Sequence, residues 1–435
     1  MDSPQPFEPV LTRHIHEPDS WTLKHYEARD GYRQARAALS RSPEDIVKVV
    51  LDSGLRGRGG AGFPTGRKWT FLAKGTGKPA YLVVNGDESE PGTFKDRYLI
   101  ECDPHQLLEG MIIASYAIGS NHAFCYLRGE FFLGYDRLKA ALDEIRAKNY
   151  IGKNIFGSGY DLNITLVRGA GAYICGEETG MLSSIEGNRG YPKVKPPFPA
   201  VSGLFGAPTI VNNVETICNL PHIVRHGADW YKQWGTEKSP GFKIFSVSGH
   251  VNKPGNYEVP LGTPLMTMIE DYAGGVRGGK QIKAVIPGGS STPLLTGGRI
   301  RQANLDYESI SELGSFLGSG GITVLDEDTD MVDALWNLMR FYHHESCGQC
   351  TPCREGTGWL EKIIERVFAG GAQGADLDLV LEITNNMRGR TICALADAAA
   401  MPAASYITEF RPEFEARSKT YVAAADITEG QAIHG

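Results

Sequence analysis

Cys347, Cys350 and Cys353 form a CxxCxxC run, and Cys393 stands 40 residues further on. Thiolates are soft ligands that suit iron–sulfur clusters and zinc. Two intervening residues let one tight turn aim three thiolates at three corners of a cubane, and the fourth ligand then comes from elsewhere in the chain. Zinc also accepts four thiolates, but usually from two separated CxxC pairs, and a second pair is missing here. The spacing therefore favours a 4Fe–4S cluster, with a zinc site and unligated thiols as alternatives. Cys102, Cys125, Cys175 and Cys218 are isolated in apolar or helical contexts and read as small core residues.

Three further stretches can do chemistry. Gly57-Arg58-Gly59-Gly60-Ala61-Gly62 satisfies GxGxxG. Its context is wrong for an ordinary dinucleotide fold: no apolar strand leads into it, and Phe63-Pro64-Thr65-Gly66 follows instead of a helix. It can still bring backbone amides close to a phosphate or a ring. Arg56, Arg58, Arg67 and Lys68 crowd it, either to hold phosphates or as solvated surface charge. The second stretch is 85–92 (NGDESEPG) and the third 169–178 (GAGAYICGEE). Both follow expected strands, at the edge where open α/β sheets bind ligands. Glu88, Glu90, Glu177 and Glu178 would repel one another there, at about 4 kcal/mol for a pair 4 Å apart at an effective dielectric near 20. They form either a solvated rim or a set that binds ribose hydroxyls and disfavours a 2′-phosphate, selecting NADH over NADPH.

These stretches need elements to position them. The segment 42–51 reads as a helix capped by Ser42, with Glu44 in its first turn. Strands are expected at 81–84, 123–127 and 162–167. A helix follows Asp103-Pro104, with Leu107, Leu108, Met111 and Ile112 on one face and Gly119 ending it. Another helix spans 135–148. Strand–helix alternation implies a parallel sheet covered by helices. Composition changes near Pro240-Gly241. Strands at 242–247, 257–259 and 282–286, a Pro-Gly turn at 253–256 and a helix at 264–272 suggest a small α+β module with no catalytic constellation, a docking or spacer unit. Helices at 330–344, 354–369, 376–388 and 395–410, with Gly370 and Gly389 as stops, suggest a four-helix bundle. Cys353 and Cys393 then sit just before two helix starts, whose amides help hold a cluster's negative charge.

Composition sets the outer bounds. Glycine makes up 53 of 435 residues, about 12%, against a usual level near 7%. The formal charge of −7 argues against a general nucleic-acid surface. Residues 1–6 lack the features of an export signal. No apolar run reaches the roughly 18 residues of a membrane span; the most apolar stretch, 107–118, contains Glu109. Eight cysteines in such a chain read as reduced thiols or metal ligands.

The motifs RGRGGAGFPTGRKW (56–69), NGDESEPGTFKDR (85–97), GAGAYICGEET (169–179), KPPFP (195–199), NNVET (212–216) and ESCGQCTPCREG (345–356) together resemble the flavin-bearing, NADH-oxidising subunits of respiratory complex I. The likeness runs from about Leu55 to Asp397, with glycine at 86 and 180 where alanine is usual. It implies a Rossmann-like FMN and NADH domain at 73–240 behind an amino-terminal segment at 1–72. It further implies a ubiquitin-like β-grasp module at 241–330 and a bundle carrying a 4Fe–4S cluster at 331–435. FMN contacts are implied for Gly57, Gly59, Gly60, Lys68, Asn85, Asp87, Glu88, Ser89, Tyr173, Gly176, Glu177, Asn212, Asn213 and Thr216. Phe63, Phe71 and Phe198 would stack on the nicotinamide nucleotide, with Glu90, Glu178 and Lys195 also touching it, and the four cysteines would ligate the cluster. The implied neighbours are a thioredoxin-like 2Fe–2S subunit and a large multi-cluster subunit in a peripheral arm on the cytoplasmic side of the inner membrane. No nucleic acid and no membrane span are expected. The competing resemblance is to the diaphorase subunit of an NAD-linked hydrogenase or formate dehydrogenase, which often carries an extra cysteine-bearing domain; the stretch before the first glycine loop has about 55 residues and no cysteine.

Overall fold

The structure, a computed structural model, describes residues 7–432; residues 1–6, read above for an export signal, lie outside it. Four parallel strands form the first sheet: β1 (Tyr81–Gly86), β2 (His122–Leu127), β3 (Asn163–Arg168) and β4 (Thr209–Asn213), in the order β3-β2-β1-β4. Val84 pairs with Cys125 on one side and Asn212 on the other. Leu82, Val83 and Val84 are wholly buried, as a strand covered on both faces must be.

One face packs on the helix Pro104–Ile118. Sequence spacing predicts a single apolar face for it, yet every residue except Tyr116 is buried. The amino-terminal helices Arg33–Leu39 and Pro43–Ser53 close over its outer side, and Ala38, Ile46, Met111 and Leu82 share one core. Glu109 survives burial because it accepts hydrogen bonds from Tyr26 Oη and from the amides of Gln34 and Ala35, so it caps a neighbouring helix. Ser42 caps Pro43–Ser53 as expected, accepting from the Asp45 amide. Asp103 stands at the expected cap position of Pro104–Ile118 but makes no capping bond, because its carboxylate pairs with Arg29 at 3.3 Å. Gly119 ends that helix in the left-handed region.

The second sheet holds β5 (Phe242–Gly249), β6 (Gly255–Pro260), β7 (Ile282–Ile286), β8 (Leu295–Thr296) and β9 (Gly321–Asp326), in the order β6-β5-β9-β7-β8. β5 and β9 run parallel while the other neighbours are antiparallel, the mixed order of a β-grasp. Its own core includes Val247, Leu265, Ile269 and Ile322. The module is no detached spacer. Its Ala284 and Ile286 share a core with Val83 and Val211 of the first sheet and with Leu335 and Ile364 of the bundle. On its far side Glu258 accepts the amides of Val10, Leu11 and Thr12 at 2.8–3.0 Å.

The bundle comprises Met331–Glu345, Thr351–Phe368, Asp376–Met387 and Leu395–Ala432. The second helix begins three residues earlier than expected: Pro352 sits in its first turn, where a missing amide costs nothing, so Cys353 lies inside the helix. The last runs past Pro402 and Pro412, with its break at Phe410 (φ −124°) just before the second proline. Among the described residues no helix is long and apolar enough to cross a membrane.

Candidate functional site

A cavity of about 300 Å³ opens where β1, β3 and β4 end, at the small end of the range for cofactor pockets, about 300–1,000 Å³. Asn85 to Glu90 form one wall, and Tyr173, Gly176 and Glu177 form another. Gly59 and Asn213 close one end; Cys393 and Leu395 close the other.

The walls are tied together before any ligand enters. Asn85 Nδ2 donates to the Gly176 carbonyl at 2.9 Å, and its Oδ1 accepts from the Asp87 amide. Ser89 donates to the Asp87 carboxylate. Burial pushes Asp87 up to about 7. Burial, reinforced by Asp96, does the same to Glu88, also to about 7, against three amide donors from Lys95, Asp96 and Arg97. Glu90 accepts from Tyr173 Oη at 2.6 Å and from the Ser291 amide at 2.8 Å. The expected mutual repulsion of the acids is thus relieved: each carboxylate has its own donors.

The glycine-rich loop is pinned from both sides. The Gly57 amide donates to the Phe63 carbonyl, the Arg58 amide to Thr216 Oγ1, and Tyr307 Oη to the Gly57 carbonyl. Gly59 stacks on Asn213, where a Cβ would come within 2.9 Å of the asparagine's own. Gly57, Gly60 and Thr216 lie behind or beside the cavity wall. So does Asn212, whose Oδ1 accepts from Trp69 Nε1. Two expectations change here. A helix does follow the loop, Thr65–Thr70, because Pro64 sets its entry. The arginines do not face the cavity: Arg58 is fully buried with its guanidinium on Tyr231 Oη and the Pro240 carbonyl, and Arg56 pairs with Glu308 at 2.6 Å.

Outside the cavity mouth, Lys68 Nζ lies 3.0 Å from Glu178, and Lys195 Nζ lies 2.8 Å from Glu177 and 3.1 Å from Glu178. Burial raises the Glu178 carboxyl, but the two lysines more than offset it and hold the group below its usual range. Glu177 also caps the helix Glu178–Ile185 through the amides of Thr179 and Gly180. Phe63, Phe71 and Phe198 are exposed, with the first two rings 6.0 Å apart. Three exposed phenylalanines near a charged rim are faces for a flat, charged ligand.

The cysteines converge from two loops. Cys350 is the cap residue of Thr351–Phe368, Cys353 lies in its first turn, and Cys347 precedes them across Gly348, whose φ of +77° favours glycine. Cys393 precedes Leu395–Ala432 by two residues, and the Ile392 amide reaches Cys350 Sγ at 3.4 Å. Ser346 Oγ lies 3.3 Å from Cys353 Sγ. Burial pushes the Cys393 thiol up to about 11, so ligation must expel its proton.

Sequence reasoning missed Lys95 and Asp96 of the cavity wall, although both sit inside a motif already singled out. It also missed Ser291 and Ser319, which the β-grasp module contributes to the same wall. Nothing local marks those serines; they arrive through tertiary packing.

Known proteins match this arrangement segment by segment. The Nuo51 FMN-binding domain matches residues 50–222, the SLBB domain 243–314, and the NADH-ubiquinone oxidoreductase-F iron-sulfur binding region 333–417. The F-type subunit of the NADH-quinone oxidoreductase of Mycobacterium tuberculosis is 52% identical over 94% of this chain and 93% of its own length. The chain belongs to the family of F-type NADH-quinone oxidoreductase subunits. The counterpart from Rickettsia felis is 51% identical over 96% of this chain and 99% of its own. An NAD+-reducing NiFe hydrogenase in its air-oxidised state superposes with a TM-score of 0.81 at 36% identity, over 94% of this chain and 67% of that one. Within the family, glycine at 86 and 180 has a physical reason here. A Cβ at Gly86 would sit 2.7 Å from Leu127 Cδ2, and one at Gly180 would sit 2.9 Å from the Ile174 carbonyl.

Proposed function

We infer that this chain oxidises NADH as the flavoprotein subunit of an NADH–quinone oxidoreductase, an enzyme of the respiratory chain. The observation that carries this reading is the shared wall: the loops at the carboxyl ends of β1 and β3 and the cysteine ahead of the last helix line one cavity. The residues fit both cofactors. The Gly59 and Gly176 backbones lie bare at the wall, where a Cβ would press on Asn213 and Asp87 of the same wall, and four thiol side chains on two adjoining loops suit a 4Fe–4S cluster. When bound, FMN takes a two-electron hydride and the cluster accepts electrons singly.

The chain's own residues do the rest. Asn85, Asp87, Gly176 and Asn213 shape the flavin cradle, with Glu88, Ser89 and Tyr173 beside them. Phe63, Phe71 and Phe198 offer ring faces to the nicotinamide nucleotide. Glu178 accepts from ribose hydroxyls and repels a 2′-phosphate, while Lys68 and Lys195 exchange their carboxylate partners for phosphate oxygens. Aligned stacking supplies several kcal/mol of the barrier by orientation, so no general acid or base is required. Cys347, Cys350, Cys353 and Cys393 hold the cluster beside the flavin.

Electrons then leave for partner subunits, and we propose a thioredoxin-like 2Fe–2S subunit and a large multi-cluster subunit as the neighbours. The chain would sit in the peripheral arm, on the cytoplasmic side of the inner membrane. The hydrogenase likeness favours a second reading, the diaphorase subunit of an NAD-linked hydrogenase. Copurification from the native source separates the two: quinone-reductase subunits support the first reading, hydrogenase subunits the second. The activity itself is tested by reconstituting with FMN and measuring NADH oxidation with ferricyanide. Rapid turnover is expected, and a flavin-loaded protein that leaves NADH untouched overturns the reading. Absorption adds a check, since a zinc-stabilised assembly module would lack flavin bands and the broad iron–sulfur shoulder.

A further inference from the structure

Glu90 and Glu178 are the two carboxylates expected to touch the nucleotide, and they are held differently. Glu178 leans on two lysines. Glu90 lines the cavity half-buried, and among the described residues its donors are all neutral. Its Oε2 accepts from Tyr173 Oη at 2.6 Å. Its Oε1 accepts from the Ser291 amide at 2.8 Å and from Ser290 Oγ at a longer 3.4 Å. A carboxylate has about four acceptor sites, so one is left over, on Oε2. A ligand donor can take it without displacing a partner, whereas at Glu178 it must compete with two ammonium groups.

Two of the three donors come from the turn Gly289-Ser290-Ser291, which follows β7 of the β-grasp module. The turn also clasps the backbone beside Glu90, since the Ser290 amide donates to the Pro91 carbonyl at 3.1 Å. Gly289 (φ +100°) lies against the side chain itself. A Cβ there would come 2.6 Å from Glu90 Cγ and 2.7 Å from its Oε1, and its three nearest atoms would all belong to Glu90. The bundle braces the turn from behind. Tyr342, wholly buried in the helix Met331–Glu345, has its Oη 3.1 Å from Ser290 Oγ, so it can donate to the serine while the serine donates to Glu90. The same helix fixes the remaining donor: the Tyr173 amide donates to Glu345 at 2.9 Å, and the Tyr173 ring meets that of Tyr342 edge-on. Glu90 is therefore placed before a ligand arrives, with little rotamer freedom left to lose.

We propose that the Gly289–Ser291 turn of the β-grasp module belongs to the NADH-binding machinery: it holds Glu90 in the rotamer that accepts from the nucleotide. Gly289, Ser290 and Tyr342 are positioning residues that act through Glu90. The module that sequence reads as a docking or spacer unit thereby sets how tightly the substrate is held. The proposal rests on the reading that Glu90 touches NADH.

The test is a double-mutant cycle on kcat/KM for NADH, with ferricyanide as acceptor and rates expressed per bound FMN. Glu90→Ala is expected to lower kcat/KM about 10–100-fold, as loss of a hydrogen bond to a charged group does. Gly289→Ala must push the carboxylate aside and is expected to lower it by a comparable factor. The double variant decides. Glu90→Ala removes the atoms that a Cβ at 289 would strike, so the double variant should be no worse than Glu90→Ala alone. Backbone strain from alanine at this φ is common to both backgrounds and cancels. Losses that multiply show that Gly289 serves the fold alone and overturn the proposal, as does a folded Gly289→Ala protein with wild-type kcat/KM. A milder cycle serves if Gly289→Ala fails to fold. Ser290→Ala is expected to raise KM for NADH about 2–5-fold, the worth of one weak hydrogen bond, and to change nothing further once Glu90 is alanine. A wild-type KM in Ser290→Ala, or an effect that persists in the Glu90→Ala background, overturns the proposal. Glu90→Ala with wild-type kcat/KM overturns the underlying reading of Glu90 instead.

Discussion

The ionic groups at the floor of the cavity and those at its rim use the same residue types to opposite ends. On the floor, Lys95, Asp96, Glu215 and Lys243 have side chains at most 4% exposed, and each carboxylate also takes a backbone amide. At the rim, Lys68 and Lys195 are 29% and 25% exposed and share Glu178. Buried charges stripped of partners are strongly destabilising, so the floor is fixed. The rim groups keep contact with water, so their pairs are held less tightly than the floor's and the rim can trade partners with a substrate. The floor sets geometry; the rim sets what enters.

The largest effect should come from breaking the floor. Glu215→Ala takes the carboxylate away from Lys243 and leaves Lys95 with Asp96 alone, and should cost roughly 3–5 kcal/mol of stability. Denaturant unfolding of the apoprotein measures this, and a near-neutral result would erase the distinction between floor and rim. Next comes the buried wall between them. Burial raises the Asp87 carboxyl from 3.8 to about 7. The unfolded chain releases that proton near pH 4 while the folded chain keeps it until about pH 7, so folded stability declines across that window. Between pH 5 and 8 the wild-type apoprotein should lose roughly 2–3 kcal/mol more than Asp87→Asn does. Parallel pH profiles for the two proteins would show the carboxyl to be ordinary.

Rim changes should alter selectivity and leave the fold alone. Glu178→Gln should improve kcat/KM for NADPH relative to NADH by about tenfold, equivalent to about 1.4 kcal/mol, with an unfolding midpoint close to that of the wild type. An unchanged cofactor preference would deny this carboxylate its ribose role. The smallest effect belongs to Lys193→Ala, which removes an exposed partner of Glu186 and should move stability by no more than about 0.5 kcal/mol.

The sequence made the parallel sheet, the β-grasp module and the bundle legible because each keeps a local period, and the cysteine spacing announces its own chemistry. Loops 85–92 and 169–178 could be read as one site because parallel strands deliver their carboxyl ends to one edge. What stayed hidden is tertiary. The helix Pro104–Ile118 looked one-sided because the sequence shows a helix at 42–51 but not that it and Arg33–Leu39 fold back over it. Arg58 looked like a phosphate ligand because spacing does not reveal that its guanidinium turns toward Tyr231. Ser291, some 200 residues from Glu90, donates its amide to that carboxylate. No pattern of residue types could place it there, since a backbone amide carries no sequence signature.

The clasp between Glu258 and the amides of Val10, Leu11 and Thr12 has a consequence for biosynthesis. Its two halves are separated by almost 250 residues, so a ribosome must add all of them before the leading segment can be buckled down. Until then that segment stays open to proteases and chaperones, and nascent chains arrested short of Glu258 should be cut around Val10–Thr12 while those arrested beyond the β-grasp module are spared there.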